Sequence, residues 1–171
     1  MDEAEPKALR SGQKVCWPRL VDEASGAVRF SHVFPPAHWA EVGAAAVQAA
    51  LQQAFARRGR PEGLRVDNGT PWVCGKSDLP SGLELWLAGL AVALHRNRKR
   101  CPQANARVER AQRTAAEWAE PGQCDTPEQL QQRLDEEDRV QRQVYLFDGR
   151  HTRQQAFPDL QGRGRPYRYY D

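Results

Sequence analysis

The sequence predicts an α/β fold in which helices cover the faces of a mixed β-sheet. Two apolar stretches, residues 15–22 and 27–34, flank a turn-rich segment and indicate a β-hairpin. Beyond this hairpin, stretches with helical periodicity alternate with short apolar strands, which gives the order β-β-α-β-α-β-α. The chain has 171 residues and a mass of 19.3 kDa, the size of one domain with an appended tail.

Each later element is predicted from its periodicity and from the residues at its ends. The first helix is rich in alanine and carries Val47, Leu51 and Phe55 on one face. Thr126 is the expected N-cap of the last helix, with Pro127 in its first turn. Residues 149–171 are rich in Arg, Gly, Gln and Tyr and are expected to be loose. After the hairpin we predict helix 39–58, strand 64–66, helix 80–90, strand 91–95, helix 104–118 and helix 126–145.

Two short motifs carry the candidate chemistry. Asp67 ends the strand over residues 64–66 and is followed by an Asn-Gly turn. Asn105 and Glu109 lie four residues apart on one edge of the helix that follows Pro102. In a sheet-plus-helix fold, a carboxylate at a strand end and another on a helix can converge on one point. Two such carboxylates among arginines indicate a divalent cation and a phosphate, which is the chemistry of phosphodiesters. The apolar stripe of this helix is predicted to hold Ala104, Val108, Ala111, Ala115 and Trp118.

Simpler interpretations of the same residues remain open. Asp67 can serve only to start the Asn-Gly turn, a position that aspartate favours. Glu109 can be a surface glutamate paired with Arg113 one turn later. Asn105 can help to cap the start of its helix.

Charge is distributed unevenly along a chain whose formal net charge is only +3. Residues 96–113 contain seven basic side chains opposed by Glu109 alone, whereas residues 117–138 are strongly acidic. A basic block around the one candidate catalytic glutamate suits a polyanion that passes close to it. A solvated, arginine-rich surface fits the charge pattern equally well.

Composition excludes several classes of protein. No apolar run approaches the roughly 20 residues needed to span a bilayer. The N-terminus is acidic and lacks an apolar signal segment, which argues against secretion. The cysteines show neither paired nor zinc-ligand spacing, so reduced thiols in a cytoplasmic protein are expected. They are Cys16, Cys74, Cys101 and Cys124.

Together the motifs resemble the integrase catalytic core of bacterial insertion-sequence transposases, a group related to retroviral integrases. The resemblance rests on Val-Asp-Glu-Ala-Ser-Gly at 21–26, Val-Asp-Asn-Gly-Thr-Pro-Trp at 66–72, and residues 97–110 with their Pro-Gln-Ala-Asn and Val-Glu-Arg segments. It extends over residues 2–121 and more weakly over 150–157. It implies a ribonuclease-H-like mixed sheet of about five strands, the first shortened, flanked by helices. Residues 1–121 would form this core, and 122–171 a C-terminal helix with a loose basic tail.

For the site, the resemblance implies that three carboxylates bind metal ions. Asp67 and Glu109 match the second and third of them, and Asp2 matches the first, which would bridge two Mg²⁺ or Mn²⁺ ions. Asp22 is the alternative for the first carboxylate, although in similar proteins the aspartate of this turn belongs to the strand connection. The residues expected to contact DNA are Arg98, Lys99, Arg100, Asn105, Arg107 and Arg110.

The implied activity is that of a DDE transposase, which cleaves and joins DNA strands by two-metal phosphoryl transfer. Water attacks in cleavage and a DNA 3′-hydroxyl attacks in joining, so no covalent protein intermediate is needed. The resemblance implies transposon ends and target DNA as partners, a cytoplasmic, nucleoid-associated location, and a homo-oligomer that acts on paired ends. No membrane partner is expected.

Features at the start of the chain predict a truncated copy of such an enzyme. Asp2 directly follows Met1, so the strand that holds it is expected to lack its N-terminal part. Pro18 falls in the next strand, where proline removes a donor from the ladder. No helix-turn-helix segment precedes the core. The alternatives are a catalytically inactive remnant that binds DNA non-specifically and a ribonuclease-H-like nuclease.

Overall fold

A computed structural model of the chain describes residues 2–3, 6–67, 69, 71–72, 79–97, 106–161, 165 and 167, with backbone alone at 2, 3 and 161. The strands are β1 (Asp2–Glu3), β2 (Lys7–Ala8), β3 (Lys14–Val15), β4 (Pro18–Val21), β5 (Val28–Ser31), β6 (Gly63–Val66) and β7 (Ala93–Arg96). The α-helices are α1 (Ala44–Arg58), α2 (Gly82–Gly89), α3 (Ala106–Trp118), α4 (Pro127–Gln143) and α5 (Arg153–Ala156). Short 3₁₀ turns lie at Trp39–Glu41, Pro121–Gln123 and Pro158–Gln161. Within these ranges no helix combines the length and apolar character that crossing a membrane requires.

Within the described ranges the strands form three separate ladders. β1, β4 and β5 make an antiparallel sheet in that order, with Asp2 opposite Arg19 and Leu20 opposite Phe30. β6 and β7 are parallel, with Leu64 opposite Leu94, and β2 and β3 form a short antiparallel pair. Parallel and antiparallel pairing therefore occur together, as the sequence predicts, but the sheet is divided.

One hydrophobic core joins α1 and α2 to the strands. It contains Leu51 and Phe55 from α1, Leu87 from α2, Phe30 from β5 and Val66 from β6. Trp39 and Trp72 also belong to this core, with their rings 6.5 Å apart. Since both strand ladders contribute to it, this core fixes β6 and β7 relative to β4 and β5.

A second core packs α3 and α4 against the antiparallel sheet. Trp17 and Val33 contribute from the strand region, Ala115 from α3, and Leu130 and Leu134 from α4. All five side chains are buried. The two cores together give the helix-sheet-helix layering expected from the sequence.

Charged side chains are buried where α4 meets the sheet. The Arg19 guanidinium, which is 1% exposed, donates through Nη2 to Glu137 and Asp138, and through Nη1 to the Ala111 carbonyl at 2.5 Å. Ser31 Oγ donates to Asp138 at 3.0 Å. Burial raises the pKa of the Glu137 carboxyl, and the attraction of Arg19 opposes that rise.

Helix ends follow local rules that are visible in the sequence. Thr126 caps α4, because its Oγ1 accepts a hydrogen bond from the Gln129 N–H at 3.3 Å, which confirms the predicted N-cap. Ser81 and Glu84 form a reciprocal capping box at the start of α2. These caps explain why both helices start where they do.

Several sequence-based boundaries were wrong. The helix predicted over 39–58 is a 3₁₀ turn followed by α1, and Gly43 separates the two. The stripe predicted for α3 is only partly right: Ala115 is buried as predicted, but Trp118 is 57% exposed and Gln112, which was not predicted, is buried. Ala104 lies outside the described residues. Residues 153–161 are not loose, because Thr152 caps α5 and a 3₁₀ turn follows.

Candidate active site

Asp67 lies at the carboxyl end of β6, as the sequence predicts. Its Oδ1 is buried and accepts no hydrogen bond from the described residues. A Cβ placed on Gly69 would lie 2.9 Å from Asp67 Oδ2, so a side chain at this position would require the carboxylate to shift. The glycine of the Asp-Asn-Gly turn therefore allows a close approach to the carboxylate, whose Oδ1 has no hydrogen-bond donor among the described residues.

The end of β7 lies beside the end of β6. The Asn97 N–H donates to the Val66 carbonyl at 2.9 Å, which holds Asn97 next to the start of the Asp67 turn. Arg96 forms an ion pair with Glu84 at 2.5 Å. Asn97 was not predicted to be a neighbour of the site. The available signal was that Asn97 follows a second strand, because the carboxyl ends of parallel strands lie at the same edge of a sheet.

Glu109 lies in the first described turn of α3 and is exposed. No ion pair joins it to Arg113, so the simple surface-pair interpretation has no support among the described contacts of α3. Arg107 Nη1 donates to the Ala24 carbonyl at 3.2 Å, and Arg110 is exposed on the same helix. Glu109 is therefore presented to solvent between two exposed arginines.

Arg19 links α3 to β1. The backbone of Asp2 pairs with Arg19 in the antiparallel ladder, and the Arg19 guanidinium binds the carbonyl of Ala111, two residues after Glu109. α3 also packs against β1 and β4. The side chain of Asp2 lies outside the described residues, so the structure places its backbone near α3 without locating its carboxylate.

Asp22 occupies the hairpin turn. Its Oδ1 accepts hydrogen bonds from the Ser25 N–H at 2.8 Å and from Ser25 Oγ at 2.6 Å. The Asp22 N–H bonds to the Ala27 carbonyl at 2.8 Å and closes the turn. These contacts are those of a turn residue, the role that the resemblance implies for it.

An elongated cavity of about 1250 Å³ separates the two strand ladders. We call it the inter-sheet groove; its lining includes Leu20 and Val21 of β4 and Gly63, Leu64 and Arg65 of β6. Arg107 and Val108 of α3 also line it. The groove thus borders both chain segments that lead to the candidate carboxylates, residues 63–65 before Asp67 and residues 107–108 before Glu109.

Part of the predicted site lies outside the described residues. Arg98, Lys99, Arg100 and Asn105 belong to that part, as does the side chain of Asp2. Among the side chains that are described, no three His, Cys, Asp or Glu residues form a group able to hold a metal ion. The three-carboxylate ligand set therefore stays a prediction.

Solved integrase cores share this fold. The catalytic core domain of BIV integrase superposes with a TM-score of 0.67 and 20% identity, covering 94% of this chain and 93% of that one. A chain of the simian T-cell lymphotropic virus intasome in complex with PP2A regulatory subunit B56 gamma gives a TM-score of 0.67 and 16% identity, covering 91% of this chain and 53% of that one. No protein-family model matches the sequence, and neither does any curated protein.

The architecture is therefore that of a retroviral integrase catalytic core. The likeness covers nearly the whole chain, which confirms the predicted ribonuclease-H-like fold class. At these identities the likeness establishes the fold.

Proposed function

We propose that this protein is the catalytic core of a DDE transposase that cleaves and joins DNA strands. The observation that carries the proposal is the Oδ1 of Asp67 at the end of β6, which is buried and accepts no hydrogen bond from any described residue, in a fold shared with integrase catalytic cores. Asp22 differs, because its Oδ1 accepts a hydrogen bond from the backbone N–H of Ser25 in its turn.

Asp2, Asp67 and Glu109 are the residues that would hold the cations. Mg²⁺ and Mn²⁺ prefer oxygen ligands, and a carboxylate oxygen without a hydrogen-bond donor fits that preference. Two such ions, when bound, supply charge stabilisation to the attacking and leaving oxygens of a phosphodiester. Asp67→Asn would retain the shape of the side chain and remove its charge.

The protein's own side chains would bind and orient the DNA. Arg107 and Arg110 flank Glu109 on α3 and are exposed, so they can reach phosphates on either side of the reacting group. Arg98, Lys99, Arg100 and Asn105 precede α3 and are proposed to extend this contact. The first solved relative is a catalytic core domain and the second an intasome, and an assembly of several copies on paired DNA ends is proposed by analogy.

A strand-joining assay tests this function. Protein, Mn²⁺ and a duplex with a labelled 3′-end are incubated, and longer labelled strands are expected from the wild type. Glu109→Gln should lower the rate of strand joining by at least about a hundredfold, the loss expected when one catalytic group is removed. Its affinity for DNA should stay within about twofold of the wild type. Glu117→Gln is the matched control, because Glu117 is another exposed glutamate of α3.

The possible outcomes separate the competing functions. Labelled strands that are shortened and never lengthened would favour a nuclease over a transposase. DNA retention without either product would favour an inactive remnant. Equal joining by the wild type and Glu109→Gln would remove Glu109 from the site.

A further inference from the structure

A β-bulge interrupts the ladder between β4 and β5. Leu20 lies opposite Phe30. The next residue of β4, Val21, lies opposite Val28, so Arg29 is skipped in the register. Bulges leave one residue unpaired and re-aim its side chain. Three arginines from three different elements meet at this bulge, and we call them the bulge arginines: Arg29 of β5, Arg58 of α1 and Arg142 of α4.

Backbone carbonyls hold the guanidinium groups of the bulge arginines in place. Arg29 donates to the Leu160 carbonyl at 2.9 Å and to the Arg58 carbonyl at 3.2 Å. Arg58 Nε donates in return to the Arg29 carbonyl at 3.3 Å. Arg142 Nη1 donates to the Val28 carbonyl at 2.6 Å. These acceptors are neutral, so they orient the three guanidiniums without compensating their positive charge.

Among the described residues, no carboxylate forms an ion pair with a bulge arginine. Arg142 is only 7% exposed, whereas buried charges in proteins are normally paired. Burial, followed by the nearby charge of Arg58, lowers the pKa of Arg142 to about 10. Burial and the charge of Arg58 also lower the pKa of Arg29. The bulge arginines therefore repel one another in a partly desolvated place.

The carboxylates nearest to the bulge arginines act on them only from beyond ion-pair distance. Asp22 attracts Arg29, and Asp138 and Asp135 attract Arg142. Asp22 Oδ1 accepts two hydrogen bonds within its own turn, and Asp138 is bound by the buried guanidinium of Arg19. Asp135 is exposed on α4. The positive charge at the bulge is therefore left without a close anionic partner in the described part of the chain.

Bonding to the backbone uses only some of the donors of the bulge arginines. A guanidinium carries N–H donors on each of its nitrogens. The described hydrogen bonds engage Nε of Arg58 and Nη1 of Arg142, and leave the other nitrogens of these two side chains available. Arg29 and Arg58 are half-buried, so an anion can reach them from solvent. Oriented donors, excess positive charge and partial access are the properties of an anion-binding site.

We propose that the bulge arginines bind a dianionic phosphate group, either free phosphate or the phosphate of a phosphomonoester. Such a group carries roughly two negative charges and three acceptor oxygens, so it can face three guanidiniums at once. The arginine fork donates to two phosphate oxygens in parallel, which adds to the match. A carboxylate or a phosphodiester carries a single charge and would leave more of the repulsion in place. The proposal is independent of DNA strand transfer, because it uses neither the candidate metal ligands nor the arginines of α3.

Calorimetric titration of the full chain with inorganic phosphate tests the proposal. The titration is made at about pH 8, above the second pKa of a phosphate group, and at constant ionic strength. Acetate replaces phosphate in the comparison. We expect phosphate to bind at least about tenfold more tightly than acetate, because it can bond to more than one guanidinium. In the wild type, the NMR signals of the Nε–H groups of the bulge arginines should shift with phosphate.

Arg58→Gln locates the binding. It removes one positive charge at a half-buried position and should weaken phosphate binding at least about tenfold. Without phosphate its Tm should be no lower than that of the wild type, because the charge of Arg58 opposes that of Arg142. Arg139→Gln is the matched control, because Arg139 is exposed on α4 and pairs with Glu136. The NMR shifts of the wild type decide the question if Arg58→Gln does not fold.

Oligonucleotides distinguish the sources of the phosphate. A short single strand with a 5′-phosphate is compared with the same strand ending in a 5′-hydroxyl. A preference of at least about tenfold for the phosphorylated strand, lost in Arg58→Gln, would support the proposal with a strand terminus as the source. Equal binding of both strands, together with binding of inorganic phosphate that depends on Arg58, would support it with a small phosphate compound as the source.

Three results would overturn the proposal. Equal affinity for phosphate and acetate, or no binding of phosphate, would show that the bulge arginines do not select a dianion. Equal phosphate affinity of the wild type and Arg58→Gln, with unmoved Nε–H signals, would place the phosphate elsewhere. A lower Tm of Arg58→Gln without any change in phosphate binding would mean that these arginines only bond the backbone at the bulge.

Discussion

The contrast between Asp67 and Asp22 shows how burial and bonding separate two aspartates that begin similar turns. Asp22 Oδ1 receives two hydrogen bonds from Ser25, whereas Asp67 Oδ1 is buried without one from the described residues. A buried carboxylate oxygen without a donor is costly unless a cation or another group binds it. This difference distinguishes a candidate ligand from a turn residue.

The Mn²⁺ affinity of single-residue variants tests this difference. Asp67→Asn is expected to lower Mn²⁺ affinity at least about tenfold, because a neutral amide replaces a charged ligand. Calorimetric titration of Mn²⁺ measures the effect. Asp2→Asn should lower affinity similarly, since Asp2 is the proposed bridging ligand.

Asp22→Asn is the matched control for that titration. The Asp22 carboxylate is already occupied by Ser25, so Mn²⁺ affinity should stay within about twofold of the wild type. A larger loss in Asp22→Asn than in Asp2→Asn would instead make Asp22 the first metal ligand.

At the scale of elements, α4 is held to the sheet by buried charges as well as by Leu130 and Leu134. Two carboxylates, Glu137 and Asp138, share the single guanidinium of Arg19. Such a cluster is stable while complete, but removal of one partner leaves uncompensated buried charge.

Arg19→Met is therefore expected to destabilise the protein by about 3–5 kcal/mol at pH 7. Urea unfolding measures the loss, and Arg139→Met is the control because Arg139 pairs with Glu136 on the exposed side of α4. The folded-state pKa of Glu137 is raised, so its contribution to stability is present below its ordinary pKa and is lost as pH rises. The loss of unfolding free energy caused by Arg19→Met should accordingly shrink as pH falls from 7 toward 5. A deficit unchanged across that range would show that lost packing, and not buried charge, causes the instability.

The helices and their caps could be predicted from the sequence more closely than their buried faces. Thr126 sits where a threonine followed by proline and three residues later by Gln129 predicts an N-cap, because capping is a local interaction. The buried face predicted for α3 was partly wrong, because Trp118 is exposed and Gln112 is buried. The Nε2 of Gln112 donates to the Trp17 carbonyl. That contact spans distant parts of the chain, and periodicity within one helix contains no information about it.

Over the whole molecule, the fold class could be predicted from the alternation of strands and helices, but the division of the sheet could not. Among the described residues, β1 pairs with β4 and β6 pairs with β7, and which strands pair depends on contacts between segments that are distant in the sequence. For the candidate site, the position of Asp67 at a strand end and of Glu109 on a helix could be predicted from the sequence, whereas their roles as metal ligands stay predictions. The role of Arg19 in joining β1, α3 and α4 was not predicted, since one buried arginine in a strand gives no local signal.

The proposed DNA binding belongs to the same scale, because the basic residues that surround Glu109 would act through their summed charge. Each phosphate that is neutralised contributes about 0.9 to the slope of log affinity against log salt on duplex DNA. The double variant Arg107→Ala with Arg110→Ala should therefore reduce that slope by about 2. Fluorescence anisotropy of a labelled duplex over a series of salt concentrations measures it.

Arg139→Ala is the control for the slope, because Arg139 is exposed on α4 and its charge is paired with Glu136. Removing it should leave the slope unchanged if DNA contacts the α3 surface. An equal reduction by Arg139→Ala and by the Arg107 and Arg110 double variant would mean that the protein binds DNA through its overall charge. The exposed arginines of α3 would then not position a phosphate beside Glu109, and strand joining would have to depend on residues 98–105 for that contact.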